Sequence, residues 1–475
     1  MIPILIICSV YSIAEPLVFD YTIDEMFETI ESGKVLSHAV FPFPSNEEMK
    51  SGFSFTLTPG IFFGKINESV PRDRYSNPID PSENFYVYEK TPPFMTMSFD
   101  LGNDVFKLHV DYPLKREYVL FHERNITNVP ITVVDPFFSI DLNFPQNAYG
   151  VFDLENQYFV IGRCKLKWGD AEYPVALSDT SPYFDNFTYS FLGDKVHYTF
   201  HFVSINPVLT ADEYASQTSV IPVNSDPTAP YFAKVKTLVG HRLDFFPLEN
   251  LRLGIGELTM IGGKFPDLFT ISPFIVYHNN FNEGYANSMG VFDFSWTPIP
   301  GLNFHGELAL DDLVIKLTES DVKPTAFAFN IGVRKTVWTT LGNILIGAEY
   351  VKATDFVYNS FTPYLKFYNR ITYLSNFPPS RNIVDYPIGF SYGPDSSLFS
   401  LKIDYYNEKI TLELELFSLL KGPNTIHTEY GVQEQGETKR INGMSLSISY
   451  KGANVFFEGI GGKRRIGVVY RWAFK

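Results

Sequence analysis

Over the last eleven residues of the chain, every second side chain is a large apolar or aromatic one. The apolar side chains share one face of this segment, and they are Ile466, Val468, Tyr470, Trp472 and Phe474. A period of two is that of a β-strand, in which successive side chains point to opposite faces. A terminal strand with an aromatic, apolar face is typical of a bacterial outer-membrane barrel, whose lipid-facing and lumen-facing residues alternate. An edge strand of a soluble β-sandwich would show the same pattern.

The same alternation returns in two hairpins earlier in the chain. The first joins an aromatic strand at residues 292–297 to a second strand at 302–311 through a Pro-Ile-Pro-Gly turn. The second joins residues 399–405 to residues 410–416. Each hairpin has one apolar face and one charged face. Because a soluble sandwich does not need so many aromatic residues on its apolar face, the pattern favours an all-β fold, a large antiparallel transmembrane β-barrel.

Composition narrows the class of protein. Aromatic residues make up 16% of the 475 residues, and no apolar run reaches the length of about 18 residues that a membrane-spanning helix needs. A membrane protein built from helices is therefore excluded. The net charge of −15 argues against nucleic acid as a partner, because phosphate binding requires clustered Lys and Arg. No change in composition after residue 60 separates two domains, so one large barrel is expected.

The chain begins with a short apolar run, followed by the small residues Ser12 and Ala14 at the two positions that signal peptidase inspects. We therefore predict a signal peptide over residues 1–14 that exports the protein. A buried N-terminal strand is the alternative. Cys8 would leave with the signal peptide, so that Cys164 would have no disulfide partner.

Apolar residues in the segment 22–31 have helical spacing, and Gly33 is the expected stop. We predict that residues 15–50 form a small periplasmic helical segment and that residues 51–475 form the barrel.

Three polar stretches that contain proline interrupt the strands, at residues 67–93, 209–230 and 377–397. In outer-membrane barrels the long loops face outside and the short turns face the periplasm. These three stretches are therefore predicted at the outer surface, and the short turns at 247–250 and 298–301 at the inner end.

Two blocks in the middle of the chain contain residues that a barrel wall does not by itself require. The first block begins at Ile161 and the second at His241, and further positions follow in a fixed order. These positions are Arg163, Trp168, Gly169, Ser178, Asp179, His241, Arg242, Glu257, Pro273, Glu307, Asp311 and Asp312. In order and spacing the blocks resemble the Wzi family of outer-membrane proteins, which act in capsule assembly.

The resemblance extends over residues 149–475 and includes the N-terminal helical segment. It implies a barrel of about 18 strands that acts as a surface lectin and anchors capsular or other exported polysaccharide. The partners it implies are cell-surface polysaccharide and the lipid of the outer membrane. Nothing in the sequence marks a subunit face, so a monomer is expected.

Carbohydrate binding uses aromatic faces against the C–H surfaces of sugars and polar groups for their hydroxyls. Aromatic residues in the predicted outer loops are candidates for contact with the sugar C–H surfaces, and these are Tyr75, Tyr86, Tyr88, Tyr214 and Tyr231. The alternative for each is packing within its loop or a place in the interfacial aromatic girdle.

Glu307, Asp311 and Asp312 come closest to a catalytic carboxylate set. Asp311 and Asp312 are neighbours in a strand and point to opposite faces, while Glu307 and Asp311 share a face roughly 13 Å apart, too far to act on one glycosidic bond. We therefore expect a lumen network in which these carboxylates pair with four arginines, namely Arg163, Arg242, Arg252 and Arg334.

The sequence contains no histidine pair at metal-ligand spacing and no nucleotide-binding or hydrolase motif in a strand-turn-helix context. We predict a non-enzymatic protein that uses no cofactor and no metal. The competing hypothesis is a porin-like channel for small solutes. A hydrolase acting on glycan or lipid would need a close carboxylate pair or a Ser/His/Asp set, and the sequence offers neither.

Overall fold

The structure is a computed structural model. It describes residues 16–45, 52–66, 74–79, 93–114, 125–127, 145–219, 233–277, 285–312, 324–376 and 379–471. The predicted signal peptide lies outside the described residues, and so do Trp472, Phe474 and the candidate residues Tyr86, Tyr88 and Tyr231.

The N-terminal part contains one helix and three short strands. These are β1 (Leu17–Val18), α1 (Ile23–Glu31), β2 (Val40–Phe41) and β3 (Phe43–Pro44). The helix begins at Thr22, whose side chain accepts the Glu25 N–H at 3.2 Å while the Glu25 carboxylate accepts the Thr22 N–H at 2.8 Å. This reciprocal capping box satisfies backbone groups that would otherwise lack partners. Gly33, with φ of +77°, follows the end of the helix, as predicted.

The remaining strands are, in chain order, β4 (Gly52–Ile66), β5 (Arg74–Ile79), β6 (Met95–Gly102), β7 (Phe106–Leu114), β8 (Asn125–Thr127), β9 (Asn147–Leu154), β10 (Gln157–Cys164), β11 (Lys167–Trp168), β12 (Phe184–Leu192), β13 (Val196–Ile205), β14 (Ala233–Leu248), β15 (Leu251–Gly263), β16 (Ala286–Ile299), β17 (Leu302–Asp312), β18 (Ala326–Thr339), β19 (Gly342–Ala353), β20 (Tyr368–Asn376), β21 (Pro379–Pro387), β22 (Ser396–Tyr406), β23 (Ile410–Lys421), β24 (Lys439–Tyr450), β25 (Ala453–Ile460) and β26 (Lys463–Arg471). The helices are α2 (Ala211–Ser219), α3 (Leu268–Ile271) and a 3-10 helix (Pro363–Leu365).

Within the described ranges, eighteen antiparallel strands form the wall of a closed barrel, and the three-residue strand β8 adds a further pairing with β4. Neighbouring wall strands pair with each other and are joined by tight turns or longer connections. The ring is closed where β26 pairs with β4. The short strands β11, β20 and β21 are not part of the wall, because they lie in connections between wall strands. The predicted fold is therefore confirmed. None of the helices in the described part has both the length and the apolar character needed to cross a membrane.

The alternation predicted from the sequence sets the two faces of the wall. In β16, Phe292 and Trp296 point outward and are 46% and 45% exposed, whereas Asp293 and Ser295 point into the lumen and are buried. In β26, Ile466 and Val468 point outward. Because one face is apolar and the other polar, a slip of one residue would reverse both faces of a strand, so the pattern fixes the register.

The two ends of the barrel differ in their connections. At one end, tight turns join the strands, for example at residues 248–251, 299–302 and 339–342. The helix α1 lies across this tight-turn end: the backbone N–H of Gly301 donates to the Ile30 carbonyl at 2.8 Å. The long connections lie at the other end, which we call the loop end.

Candidate functional site

The tight-turn end of the lumen is covered by α1. Its two buried residues are Phe27 and Ile30, and the ring of Phe27 packs edge-on against Trp338 with centroids 4.8 Å apart. At the end of the helix, the hydroxyl of Thr336 donates to the Glu31 carboxylate. We call α1 the lower tier.

The connection between β10 and β12 does not stay at the loop end but turns down into the lumen, and we call residues 165–178 the middle tier. Trp168 at its centre is fully buried, and β11 pairs there with β2 of the N-terminal part. Gly240 and Gly256 on the wall face this ring. A Cβ at Gly240 would lie 2.6 Å from the Leu258 side chain and 3.3 Å from the Trp168 ring, and a Cβ at Gly256 would lie 2.8 Å from the His241 carbonyl oxygen and 3.1 Å from the ring. Glycine therefore makes room for the wall as well as for the tryptophan.

At the level of the middle tier, two fully buried arginines on neighbouring wall strands bind three aspartates. Arg242 Nη2 lies 2.6 Å from Asp244 Oδ1 and 2.6 Å from Asp293 Oδ2. Arg252 Nη2 lies 3.0 Å from Asp293 Oδ1 and also contacts Asp170, the middle-tier residue that follows Gly169. Burial alone would raise the pKa of Asp170, but the charges of Arg252 and Arg334 hold that pKa below its usual range.

Carboxylates on other wall strands bind the backbone of the inserted loops. Glu307 Oε2 accepts the Val175 N–H at 2.6 Å, and Glu349 accepts the Glu172 N–H at 2.8 Å. Glu349 is itself held by the His305 ring at 2.8 Å. These bonds satisfy loop N–H groups that would otherwise be buried without partners.

The predicted pairing of the arginines with Glu307, Asp311 and Asp312 was wrong. Arg242 and Arg252 pair with the aspartates named above. Asp311 Oδ2 instead accepts the Tyr358 N–H at 2.7 Å, and Asp312 accepts the Tyr430 hydroxyl. The sequence showed which charges share a face but not that loop backbone would enter the lumen and compete for the carboxylates.

Arg163 was predicted in the lumen network, but the structure places it on the outward face of the wall, together with the motif residues His241 and Glu257. Arg163 forms a two-pronged pair with Asp185, with N···O distances of 2.7 and 2.9 Å. His241 lies next to the lumen-facing Arg242 and therefore points the other way. Arg334 does face the lumen, where it donates to the Asp170 carbonyl.

Two further motif residues, Ser178 and Asp179, lie near the loop end. Ser178 is buried, and its hydroxyl donates to the Gly389 carbonyl at 2.6 Å, which joins the middle tier to the connection between β19 and β22. Asp179 is half exposed and lies 3.7 Å from the ammonium of Lys165. Pro273, in the connection after β15, accepts a hydrogen bond from the Tyr198 hydroxyl on the outward face of the wall.

The loop end is closed by parts of three connections, residues 206–219, 354–395 and 422–438, which we call the outer cap. Arg370 on β20 is fully buried at its centre. Its guanidinium donates to both carboxylate oxygens of Asp385, at 2.7 and 2.6 Å, and to both of Glu213, at 2.6 and 2.8 Å. This planar double fork ties α2 to the β20–β21 hairpin.

The charges of the outer cap are shifted by burial and by pairing. Burial opposes ionisation of Glu213, but the hydrogen bonds and charge of Arg370 prevail and lower the pKa of Glu213 to about 2. Burial lowers the pKa of Lys366 to about 8. The Lys366 ammonium donates to the Ile426 carbonyl at 2.8 Å, which joins two of the three connections.

Glu213, Asp385 and His427 place one ligand atom each within 4.8 Å of one another, a spacing that a metal ion can use. Arg370 already donates to every carboxylate oxygen of this group, and His427 Nε2 lies 3.3 Å from Asp385 Oδ2. The arrangement is that of a charge-paired cluster, which joins α2, β21 and the connection that carries His427.

Aromatic side chains are exposed on the outer cap. Phe361 and Tyr214 are each 49% exposed. Phe361 packs edge-on against Tyr430 with centroids 4.4 Å apart, and the Tyr364 N–H donates to Gln217 of α2 at 3.0 Å. The segment that carries Phe361 therefore adjoins the helix that carries Tyr214.

Of the five tyrosines proposed from the sequence, the structure places the side chain of Tyr214 alone. Tyr75 lies on β5, which pairs with β21, but its side chain is outside the described part. Sequence reasoning missed Phe361, Tyr430 and Arg370. A signal was present in the aromatic residues of the segment 356–368, which continue beyond the end of the alternating strand β19.

No model of a known protein family matches the sequence, and no curated protein matches it. Among solved structures, this chain is similar to Wzi of Escherichia coli, described as an outer-membrane protein involved in group 1 capsule assembly and a carbohydrate-binding β-barrel. The TM-score is 0.58 at 14% identity, over 96% of this chain and 100% of that chain. OccD3 (OpdP) of Pseudomonas aeruginosa superposes with a TM-score of 0.42 at 9% identity, over 90% of this chain and 92% of that chain. The likeness to the Wzi barrel confirms the fold predicted by the family resemblance.

Proposed function

We propose that the chain is a bacterial outer-membrane protein that binds capsular or exported polysaccharide at the cell surface and catalyses no reaction. The outward apolar face of a closed barrel suits a bilayer, because all backbone groups of the wall pair within it. Short turns at one end and long connections at the other orient the tight-turn end toward the periplasm. Residues 1–14 would then be the signal peptide, residues 15–50 the periplasmic segment, and the barrel would be a monomer.

The observation that carries the proposal is the filling of the lumen. Within the described ranges, the lower tier, the middle tier and the outer cap cross it at three levels. Between the lower and middle tiers lies a cavity of about 30 Å³, lined by Met26, Arg334 and Lys402 among others, which is room for about one water molecule. A solute channel needs a continuous aqueous path, whereas a surface lectin needs ordered outer loops on a stable base.

The outer cap has the chemistry that a sugar surface needs. Tyr214 and Phe361 offer apolar ring faces, which suit the C–H surfaces of sugars. The buried carboxylates below the cap are engaged by loop N–H groups, as Glu307 and Asp311 are, and do not form a pair poised on one bond. This supports binding without catalysis. The E. coli Wzi barrel, described as carbohydrate binding, is consistent with the same use of the fold.

Binding of detergent-refolded protein to a panel of bacterial surface polysaccharides, including material from the native host, tests the proposal. Saturable binding should be weakened by Phe361→Ala and by Tyr214→Ala. Tyr450→Ala is the matched control, because Tyr450 is a similarly exposed aromatic residue (46%) at the tight-turn end. Equal binding by all three variants would remove the outer cap from the site, and an absence of binding to every glycan would overturn the lectin function.

Single-channel recording in planar bilayers tests the competing porin-like function. A lumen crossed at three levels should give no steady conductance. A steady conductance in the wild-type protein, at a level that a lower-tier deletion does not increase, would show that the tiers leave an open path and would favour the channel.

A further inference from the structure

The connection after β15 runs along the outside of the barrel. We call residues 264–277 the outer strap. The Tyr277 N–H donates to Glu257 Oε2 at 2.7 Å, and the Pro273 carbonyl lies 3.3 Å from His241 Nδ1. Since His241 and Glu257 point outward from the wall, the outer strap lies on the face of the barrel opposite the lumen.

The outer strap adjoins polar groups that are unusual on the outward face of a barrel. His241 Nε2 lies 3.5 Å from Glu257 Oε2, and the ring of Tyr277 stacks on His241 with centroids 4.6 Å apart. On the two adjoining strands, the hydroxyls of Thr259 and Ser288 lie 2.8 Å apart and both residues are buried. Polar groups in contact with hydrocarbon cost free energy unless they are paired and covered.

Apolar contacts also hold the outer strap to the wall. Outward-facing residues of four wall strands and of the strap form a cluster separate from the lumen core. Its buried members are Phe200, Val239, Ile261, Tyr277 and Ala286, and Ile271 and Ile275 of the strap pack against them. The second half of the strap, residues 271–277, is therefore fixed to the wall by both polar and apolar contacts.

The other side of the outer strap is strongly apolar and open. Phe265, Leu268, Phe274 and Val276 are 70%, 83%, 85% and 58% exposed. For comparison, the wall residue Ile255 is 44% exposed. In the last turn of the strap, residues 273, 275 and 277 face the wall while 274 and 276 face away. The strap therefore exposes apolar side chains over the part of the wall whose polar side chains it covers.

We propose that the outer strap is inserted in the membrane, with lipid acyl chains against Leu268, Phe274 and Val276. The inference rests on the outer-membrane location proposed above. The exposed side of the strap continues the apolar outward face of β15 and β16, where lipid is the solvent. Its first residues carry a Lys264–Asp267 pair at 3.3 Å, and Lys264 lies 5.9 Å from the Tyr285 ring centroid, as suits the head-group level.

A second copy of the chain is the other conceivable occupant, and the size of the surface argues against it. A stable protein interface buries about 800 Å² on each partner, which takes roughly 20 residues a side. The outer strap offers four exposed apolar side chains on a narrow ridge. Acyl chains can cover such a ridge without complementary shape.

Spin labelling in vesicles of phosphatidylethanolamine and phosphatidylglycerol tests the proposal. A nitroxide is attached at Phe274→Cys, and its accessibility to oxygen and to a water-soluble nickel chelate is measured; the buried thiol of Cys164 does not compete for the label. Ile331→Cys, on the outward wall, is the lipid reference, and Glu437→Cys, exposed at the loop end, is the water reference. Ile275→Cys, on the side of the strap that faces the wall, is the buried reference.

We expect the Phe274 label to match the Ile331 label, with high oxygen and low nickel accessibility, and the Ile275 label to be shielded from both. A match between Phe274 and the water reference would overturn the insertion. Shielding of Phe274 from both reagents would show a protein occupant and would also overturn it. If the Ile331 label is itself exposed to nickel, the membrane location proposed for the barrel fails, which separates that failure from failure of the strap.

Discussion

The barrel buries arginines with carboxylates in two regions, one where the wall meets the middle tier and one in the outer cap. The two regions are built differently. Around Arg242 and Arg252, most partners come from neighbouring wall strands, so the register of the sheet already brings the charges together. Around Arg370, the carboxylates come from α2 and β21, which no wall pairing holds in place. In the first region the wall positions the charges, and in the second the charges position the loops.

The loss of a buried ion pair should therefore have a different effect in each region. A change in the middle tier should be felt by the whole barrel, because it leaves charge unpaired between strands that must stay paired. A change in the outer cap should release a loop and leave the wall intact. The predictions below test this distinction, beginning with the change of largest effect.

Arg252→Ala should destabilise the barrel most. It leaves the carboxylates of Asp170 and Asp293 buried with one cation fewer, and breaking a buried pair costs about 3–5 kcal/mol. Urea unfolding in detergent, followed by tryptophan fluorescence, measures the free energy of unfolding. Lys34→Ala is the control, since it removes an ion pair with Glu249 that is 56% and 81% exposed and should cost ~1 kcal/mol or less. Equal losses in the two variants would contradict a structural role for the middle tier.

Arg370→Ala should leave the wall folded and free the outer cap. We expect faster amide exchange in α2, weaker polysaccharide binding, and a smaller loss of unfolding free energy than in Arg252→Ala. Arg370→Lys should restore little, because an ammonium cannot donate to two carboxylates in one plane. Hydrogen exchange read by mass spectrometry locates the change. Faster exchange spread through the wall strands would show that the cap and the wall are one cooperative unit.

Gly256→Val tests the fit of Trp168 against the wall. A Cβ at Gly256 would lie 2.8 Å from the His241 carbonyl oxygen and 3.1 Å from the Trp168 ring, and overpacking of this kind costs about 1–3 kcal/mol. Gly290→Val is the control on the adjacent strand, because no atom lies within 4 Å of a Cβ there. If both substitutions have the same effect on the unfolding free energy, the glycine is not needed for the tryptophan.

These contrasts also show what the sequence can and cannot predict. A two-residue period shows which residues share a face, so the placement of Phe292 outward and Asp293 inward follows from the pattern. It does not show which face a polar residue will occupy: His241 lies on the outward face, where the outer strap covers it. Pairs such as Arg370 with Glu213 lie 157 residues apart on connections without periodicity, so no local pattern could bring them together.

The smallest effect is expected from pH, which tests how the pairing of Glu213 with Arg370 holds the outer cap. The folded-state pKa of Glu213 is lowered from 4.5 to about 2, so its contribution to stability is present above pH 4.5 and is lost as the pH falls from there toward 2. Over this window α2 should loosen from Arg370, and protease cleavage near residues 209–219 with an acid-active enzyme should increase while the wall strands stay protected. Glu213→Gln removes the titrating group, so in this variant α2 should already be loosened at neutral pH and the acid-dependent increase should disappear. An unchanged acid step in Glu213→Gln would assign the step to another group.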